Sequence, residues 1–185
     1  CLNPIYPAID FISSINFKSR IEHDPLASHL ITVSSINSGR VPNVIEDEAR
    51  VLGTVRTFDN EQRMKLHKDI INCARLSAEI YGCTVDPYYE FQYPPLSSNL
   101  DLTEKFINVS KALLGKEKVQ PLVRTFAAED FSFFAQKVPS VHFRLGISDG
   151  IRGMQPLHNQ DFNANDEALF YGIYVITNFI LEYYQ

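Results

Sequence analysis

The sequence predicts a mixed α/β chain. A split βαβ module of ferredoxin-like type that lacks its first strand is followed by a second unit of alternating helices and short strands. Three observations lead there. Apolar residues recur at helical spacing from Ile5 to Ile21 and again from Leu66 to Tyr81. Two runs between them, Leu30–Ile36 and Glu48–Phe58, alternate apolar and polar residues as half-buried strands do. Then Tyr93-Pro94-Pro95-Leu96-Ser97-Ser98 breaks both periods, marking a linker that divides residues 1–93 from residues 94–185.

In chain order, Ile5, Ala8, Ile9, Ile12, Ile15 and Phe17 define an amphipathic first helix, with Pro7 in the first turn where its missing N–H is tolerated. His23-Asp24-Pro25 is expected to end it. Leu30, Ile31, Val33 and Ile36, set against Thr32, Ser34 and Ser35, make a strand, and Asn37-Ser38-Gly39-Arg40 turns the chain. In the next strand Ala49, Val51, Gly53 and Val55 face one way and Arg50, Leu52, Thr54 and Arg56 the other. Asp59 with Gln62 three residues on is a capping-box pattern for a long helix that stops at Gly82, and Cys73 lies on its apolar face. A third strand is expected over Thr84–Phe91. The absent first strand leaves a sheet edge unpaired, which implies further sequence in front of Cys1. Beyond the linker the pattern predicts a helix over Leu102–Leu114 closed by Gly115 and a strand over Leu122–Phe126. A short helix at Phe131–Gln136, a buried strand at Val141–Leu145 and a final helix over Glu167–Tyr184 complete an α/β sheet covered by helices.

The 185 residues are 45% apolar and 21% charged, ordinary values for a globular chain that buries a core. A net charge of −5 without a basic stripe argues against nucleic acid as a partner. No run approaches the ~20 apolar residues of a membrane helix, so no membrane partner is expected. Cys1, Cys73 and Cys83 are too few and too far apart for a zinc ribbon or a disulfide framework, and read as reduced thiols. The cytoplasm is slightly favoured and the compartment otherwise open.

His158, in the Pro-bounded loop Gln155-Pro156-Leu157-His158-Asn159, is the candidate metal ligand. His23, His29, His67 and His142 each stand without an acidic or Cys neighbour at ligand spacing, whereas a catalytic zinc-type site needs at least three protein ligands. The residues alone leave two readings: an ordinary loop histidine, or one ligand of a site completed by sequence upstream.

Four segments occur in order: Gly39-Arg40-Val41-Pro42-Asn43-Val44-Ile45-Glu46-Asp47, Gly53-Thr54-Val55-Arg56-Thr57-Phe58, Ala128-Glu129-Asp130-Phe131 and Pro156-Leu157-His158. Together they resemble the metal-dependent N-acyl-amino-acid amidohydrolases, the hippurate hydrolase, auxin-conjugate hydrolase and N-acetyl-diaminopimelate deacetylase group of the aminoacylase and carboxypeptidase metallopeptidases. The resemblance runs from Asn3-Pro4-Ile5 to the last helix. It implies that residues 1–93 are most of a lid domain that forms a homodimer, and that residues 94–185 are the C-terminal segment of an α/β catalytic domain. It further implies two divalent metal ions, Zn or Mn, and a small N-acyl amino acid or related amide hydrolysed by a metal-activated water. The general base lies upstream of Cys1, so these 185 residues alone are expected to be inactive.

By the same resemblance His158 is the family's last metal ligand, Asn43 and Arg56 contact the substrate carboxylate and the developing oxyanion, and Glu129 lines the substrate pocket. An amide, a guanidinium and a neutral imidazole suit those tasks. The plainer alternatives are a turn asparagine, a solvated strand arginine and the acidic first turn of a helix. Glu46 stands where the family usually has Pro, and Ala127-Ala128 where Gly or Ser is common. A non-catalytic dimerisation module and a metal-free small-molecule-binding domain are the competing functional readings.

Overall fold

A computed structural model describes residues 2–21 and 28–184. The helix stop predicted at His23-Asp24-Pro25 falls outside them. The chain divides into two compact units: residues Cys1–Leu96 with Phe126–Ser132, and residues Ser97–Thr125 with Phe133–Gln185. A short segment from far along the sequence thus belongs to the first unit, a grouping that no local pattern announces. No described helix is long and apolar enough to cross a membrane.

The first unit is built on helix α1 (Ile5–Ile21), strands β1 (His29–Asn37) and β2 (Arg50–Thr57) and helix α2 (Asn60–Ile80). The two strands pair antiparallel in a two-stranded sheet. Its core lies where α1 meets α2: Ile15 and Leu66 are fully enclosed, Cys73 is buried, and small Ser19 and Ser77 lie buried beside them. Burying a side chain of the size of Ile15 or Leu66 stabilises the fold by about 1.5–3 kcal/mol. Lys18 and Asp69 tie the same two helices at 3.6 Å.

Asp59 caps α2 by accepting the Gln62 N–H at 2.7 Å. The second half of the expected capping box is rearranged, because Gln62 is buried and its side-chain amide meets His29 Nδ1 at 3.1 Å, linking the helix to the start of β1. The helix stops as predicted at Gly82, whose φ of +65° is the left-handed value of a C-terminal cap. Cys83 N–H then reaches the Ala78 carbonyl at 2.9 Å and Gly82 N–H the Glu79 carbonyl at 3.0 Å.

In β2 the predicted alternation holds, with Val51 and Val55 turned inward and Arg50, Leu52, Thr54 and Arg56 exposed. In β1 the pleat overrides the apolar grouping. Ahead of the bulge Ile31 and Val33 are half-buried while Leu30 is exposed beside Thr32, because successive side chains alternate whatever their chemistry, and Ile36 beyond it is exposed as well. The register slips between Val33 and Ser35, so Ser34 is a bulge. Gly53 lies opposite Val33 beside it, and a Cβ there would stand 2.6 Å from the Thr32 carbonyl oxygen. Glycine is therefore required by a close backbone approach.

The third strand predicted at Thr84–Phe91 does not form. Tyr89 and Phe91 pack around His67 with ring centroids 4.6 and 4.9 Å away, and Arg63 lies over the Phe91 ring, yet among the described residues no strand pairs with this segment. Burial of Tyr89 pushes its phenol pKa up, opposed by the charge of Arg63.

The second unit holds α3 (Leu100–Leu114), a 3-10 turn at Lys116–Lys118 and α5 (Glu167–Tyr183). The short α4 (Phe131–Ala135) spans the boundary between the units. Asn99 caps α3 through Leu102 N–H at 2.9 Å, so the helix starts at Leu100, two residues ahead of the predicted start, and Gly115 closes it at φ +94°. Phe106 packs against Phe143 at 4.8 Å and Phe179 at 5.2 Å, joining α3 to α5. On α5 the buried residues Ala168, Gly172 and Val175 recur at helical spacing, and Gly172 leaves room for Leu145. The strands predicted at Leu122–Phe126 and Val141–Leu145 do not form a ladder among the described residues. Apolar runs of this kind become strands only where a partner strand satisfies their main-chain groups.

Candidate functional site

Asn43 sits in the loop between β1 and β2. The loop is pinned at its base by Ser38 Oγ donating to the Glu48 carbonyl at 2.9 Å, and across its middle by Arg40 and Glu46 at 3.9 Å. Glu46, where the family usually has Pro, therefore serves as an ion-pair partner. Val44 N–H returns to the Val41 carbonyl at 3.3 Å, so Pro42 and Asn43 are the central residues of a β-turn that projects Asn43 into solvent.

Arg56 is on the exposed side of β2, opposite Leu30. Its Nη1 donates to the Phe126 main-chain oxygen at 2.6 Å. The Phe58 ring, two residues on, stacks on the Phe126 ring at 4.4 Å with an interplanar angle of 14°. Among the described residues no carboxylate pairs with Arg56, so its charge is held by a neutral carbonyl.

Glu129, three residues beyond Phe126, is half-buried. Its main-chain oxygen accepts both the N–H of Ser132 at 3.1 Å and the Ser132 hydroxyl at 2.6 Å, and Ser132 is fully buried. The segment from Phe126 to Ser132 is thus held to the hairpin at Phe126, and its other end closes on itself in a turn at Glu129–Ser132. Asn43, Arg56 and Glu129 all belong to the first unit, whereas His158 belongs to the second.

His158 is exposed and has φ +69°, the only left-handed non-glycine among the described residues. It is the third residue of a turn closed by Asn159 N–H on the Pro156 carbonyl at 3.2 Å, the position at which a type II turn demands positive φ. Asn159 stabilises the exit, its side chain accepting from Asp161 N–H at 2.8 Å and its carbonyl from Phe162 N–H at 3.1 Å. A side chain in this conformation costs roughly 1–2 kcal/mol relative to ordinary backbone. Such outliers gather at functional sites.

Among the described residues no three His, Cys, Asp or Glu side chains come together to hold a metal ion. One imidazole does not retain a catalytic metal, so these residues do not by themselves form a metal centre. A pocket of about 250 Å³ between α3 and α5, lined by Lys105, Asn108, Phe179, Glu182 and Tyr183 among others, contains none of the four candidate residues. The Phe58–Phe126 contact was missed in the sequence, where its only trace is that Arg56 and Phe58 share one side of a strand.

Residues 12–182 match the family model described as peptidase family M20/M25/M40. The chain is 33% identical over 176 residues to IAA-amino acid hydrolase ILR1-like 4 of Arabidopsis thaliana, covering 92% of this chain and 40% of that protein. It is 30% identical over 160 residues to the N-acetyldiaminopimelate deacetylase of Anoxybacillus flavithermus, covering 85% of this chain and 40% of that one. A crystal structure from methicillin-resistant Staphylococcus aureus, described as an aminohydrolase, superposes with a TM-score of 0.89 at 21% identity, over 99% of this chain and 47% of the other. At that identity the likeness shows the fold. The chain spans less than half the length of the curated relatives it matches.

Proposed function

The chain belongs to the M20/M25/M40 peptidase family, and on that footing we propose that it is part of an enzyme that hydrolyses the amide bond of N-acyl amino acids or related small amides. Two of the relatives are named for such substrates, an IAA-amino acid hydrolase and an N-acetyldiaminopimelate deacetylase, and two others are named carboxypeptidases. The observation that carries the reading is the hydrogen bond from Arg56 to the Phe126 carbonyl. It brings the Gly53–Phe58 motif and the Ala128–Phe131 motif into one unit, so that an exposed guanidinium and the half-buried Glu129 sit on one fastened scaffold.

In this reading Arg56 and Asn43 bind the substrate carboxylate and the oxyanion, for which a planar cation and an amide N–H are matched donors. Glu129 lines the substrate pocket. His158 is one ligand of a Zn or Mn site whose other ligands come from residues beyond these 185, and its left-handed turn is the strain expected of a residue held for function. Residues 1–93 are most of the lid and residues 94–185 belong to the catalytic domain. The lid makes a homodimer: β1 is a nine-residue strand of a two-stranded sheet with no Lys, Arg, Asp, Glu or Pro to protect its edge.

The test uses the full-length enzyme, metal-free and then loaded with Mn or Zn, on hippurate and N-acetyl amino acids. Metal-dependent release of the free amino acid is expected, and inactivity on every N-acyl amino acid in both loaded forms would sink the proposal. The 185-residue chain alone is expected to give no turnover. Sedimentation should show a dimer, and a clean monomer at high concentration removes the lid pairing.

A further inference from the structure

Residue 126 is gripped at two points by side chains two residues apart, one on β2 and one just past its end. Phe58 holds its ring at 4.4 Å, and Arg56 holds its carbonyl at 2.6 Å. The loop does not need the arginine to stay in place, since the ring stack holds its near end and Ser132 at its far end is fully buried. What the second grip changes is the arginine. Anchoring one N–H on a neutral carbonyl removes rotamer freedom that a solvated guanidinium would otherwise lose on binding an anion. It also leaves the positive charge uncompensated and the remaining N–H donors available.

We propose that Phe58 and Phe126 are positioning residues for Arg56: their ring stack fixes the Phe126 carbonyl, which holds the guanidinium in the orientation that receives the substrate carboxylate. The proposal rests on the carboxylate-binding role assigned to Arg56 above. It adds specificity-determining residues that never touch substrate and act through the arginine.

The experiment compares, in the full-length metal-loaded enzyme, the KM for an N-acyl amino acid with that for its carboxamide, which carries the same scissile bond without the carboxylate. Phe58→Ala and Phe126→Ala are each expected to shrink the preference for the acid about 10-fold through KM, a change on the scale of one charge-assisted hydrogen bond. Phe58→Tyr, which keeps the stack, should restore the preference, and Phe58→Leu serves if the alanine variant does not fold. Arg56→Ala must shrink the same preference. If Arg56→Ala does so while both phenylalanine variants leave the ratio unchanged, or lower turnover of acid and carboxamide equally, the positioning role is overturned and the carboxylate role survives. If Arg56→Ala itself leaves the ratio unchanged, both fall.

Discussion

Arg56 and Phe126, seventy positions apart in sequence, are joined by a 2.6 Å hydrogen bond from the guanidinium Nη1 to the main-chain oxygen. Beside it the Phe58 and Phe126 rings stack at 4.4 Å. The consequence is organisational: residues Phe126–Ser132, with Glu129 among them, fold with the hairpin rather than with the segments that flank them in sequence.

Lysine at position 56 keeps the charge but loses the planar fork that serves two acceptors at once. Arg56→Lys in the full-length enzyme is therefore expected to lower kcat/KM for an N-acyl amino acid by about 10- to 100-fold, the scale of a bidentate charge-assisted contact. Steady-state kinetics check it, and wild-type values would remove Arg56 from the binding site.

Position 158 separates backbone strain from chemistry. His158→Gly relieves the left-handed conformation and His158→Ala does not, so the glycine variant should be the more stable by about 1 kcal/mol in urea titrations. Both should lose activity in the full-length enzyme if the imidazole is a metal ligand. Retained activity in either would make His158 a turn residue only.

Leu66 is fully buried on α2. Leu66→Ala should cost about 2–5 kcal/mol, the range for truncating an enclosed leucine. A fall in the urea midpoint without a change of slope would show it, and a loss below about 1 kcal/mol would mean that the core there is not closely packed.

Gly53→Ala should cost about 1–3 kcal/mol, since the new methyl meets the Thr32 carbonyl across the hairpin and the strands must part to admit it. Thermal unfolding measures the loss. A neutral outcome would show that the bulge at Ser34 yields freely.

Asp149 accepts the N–H groups of Arg152 and Ile151 at 2.7 and 2.9 Å and the Arg152 guanidinium at 2.9 Å. The Arg152 main-chain contact is the largest of the effects that bring its carboxyl down to about 2. The folded value lies below the ordinary ~3.9, so any stabilisation is present above about pH 4 and is lost as pH falls through the folded value. A carboxyl-carbon NMR titration should give a midpoint near 2 for Asp149, and a midpoint near ~3.9 would refute the three-donor arrangement.

The local elements could be read from the residues alone: the periodicity from Ile5 to Ile21, the cap at Asp59, the stop at Gly82, the alternation of β2 and the helix ending at Gly115. Each follows from interactions within a few residues, the steric freedom of glycine, a carboxylate on a free N–H, or one apolar face, which composition and spacing record directly. The family motifs were equally legible, because they are strings of adjacent residues. It took the folded chain to show that Thr84–Phe91, Leu122–Phe126 and Val141–Leu145 join no ladder among the described residues, that Leu30 is exposed, that His158 is left-handed and that Phe126 closes on Arg56. The reason is that a strand exists only when another segment supplies its hydrogen-bond partners, and a contact across seventy residues is set by packing that no window of neighbouring side chains contains.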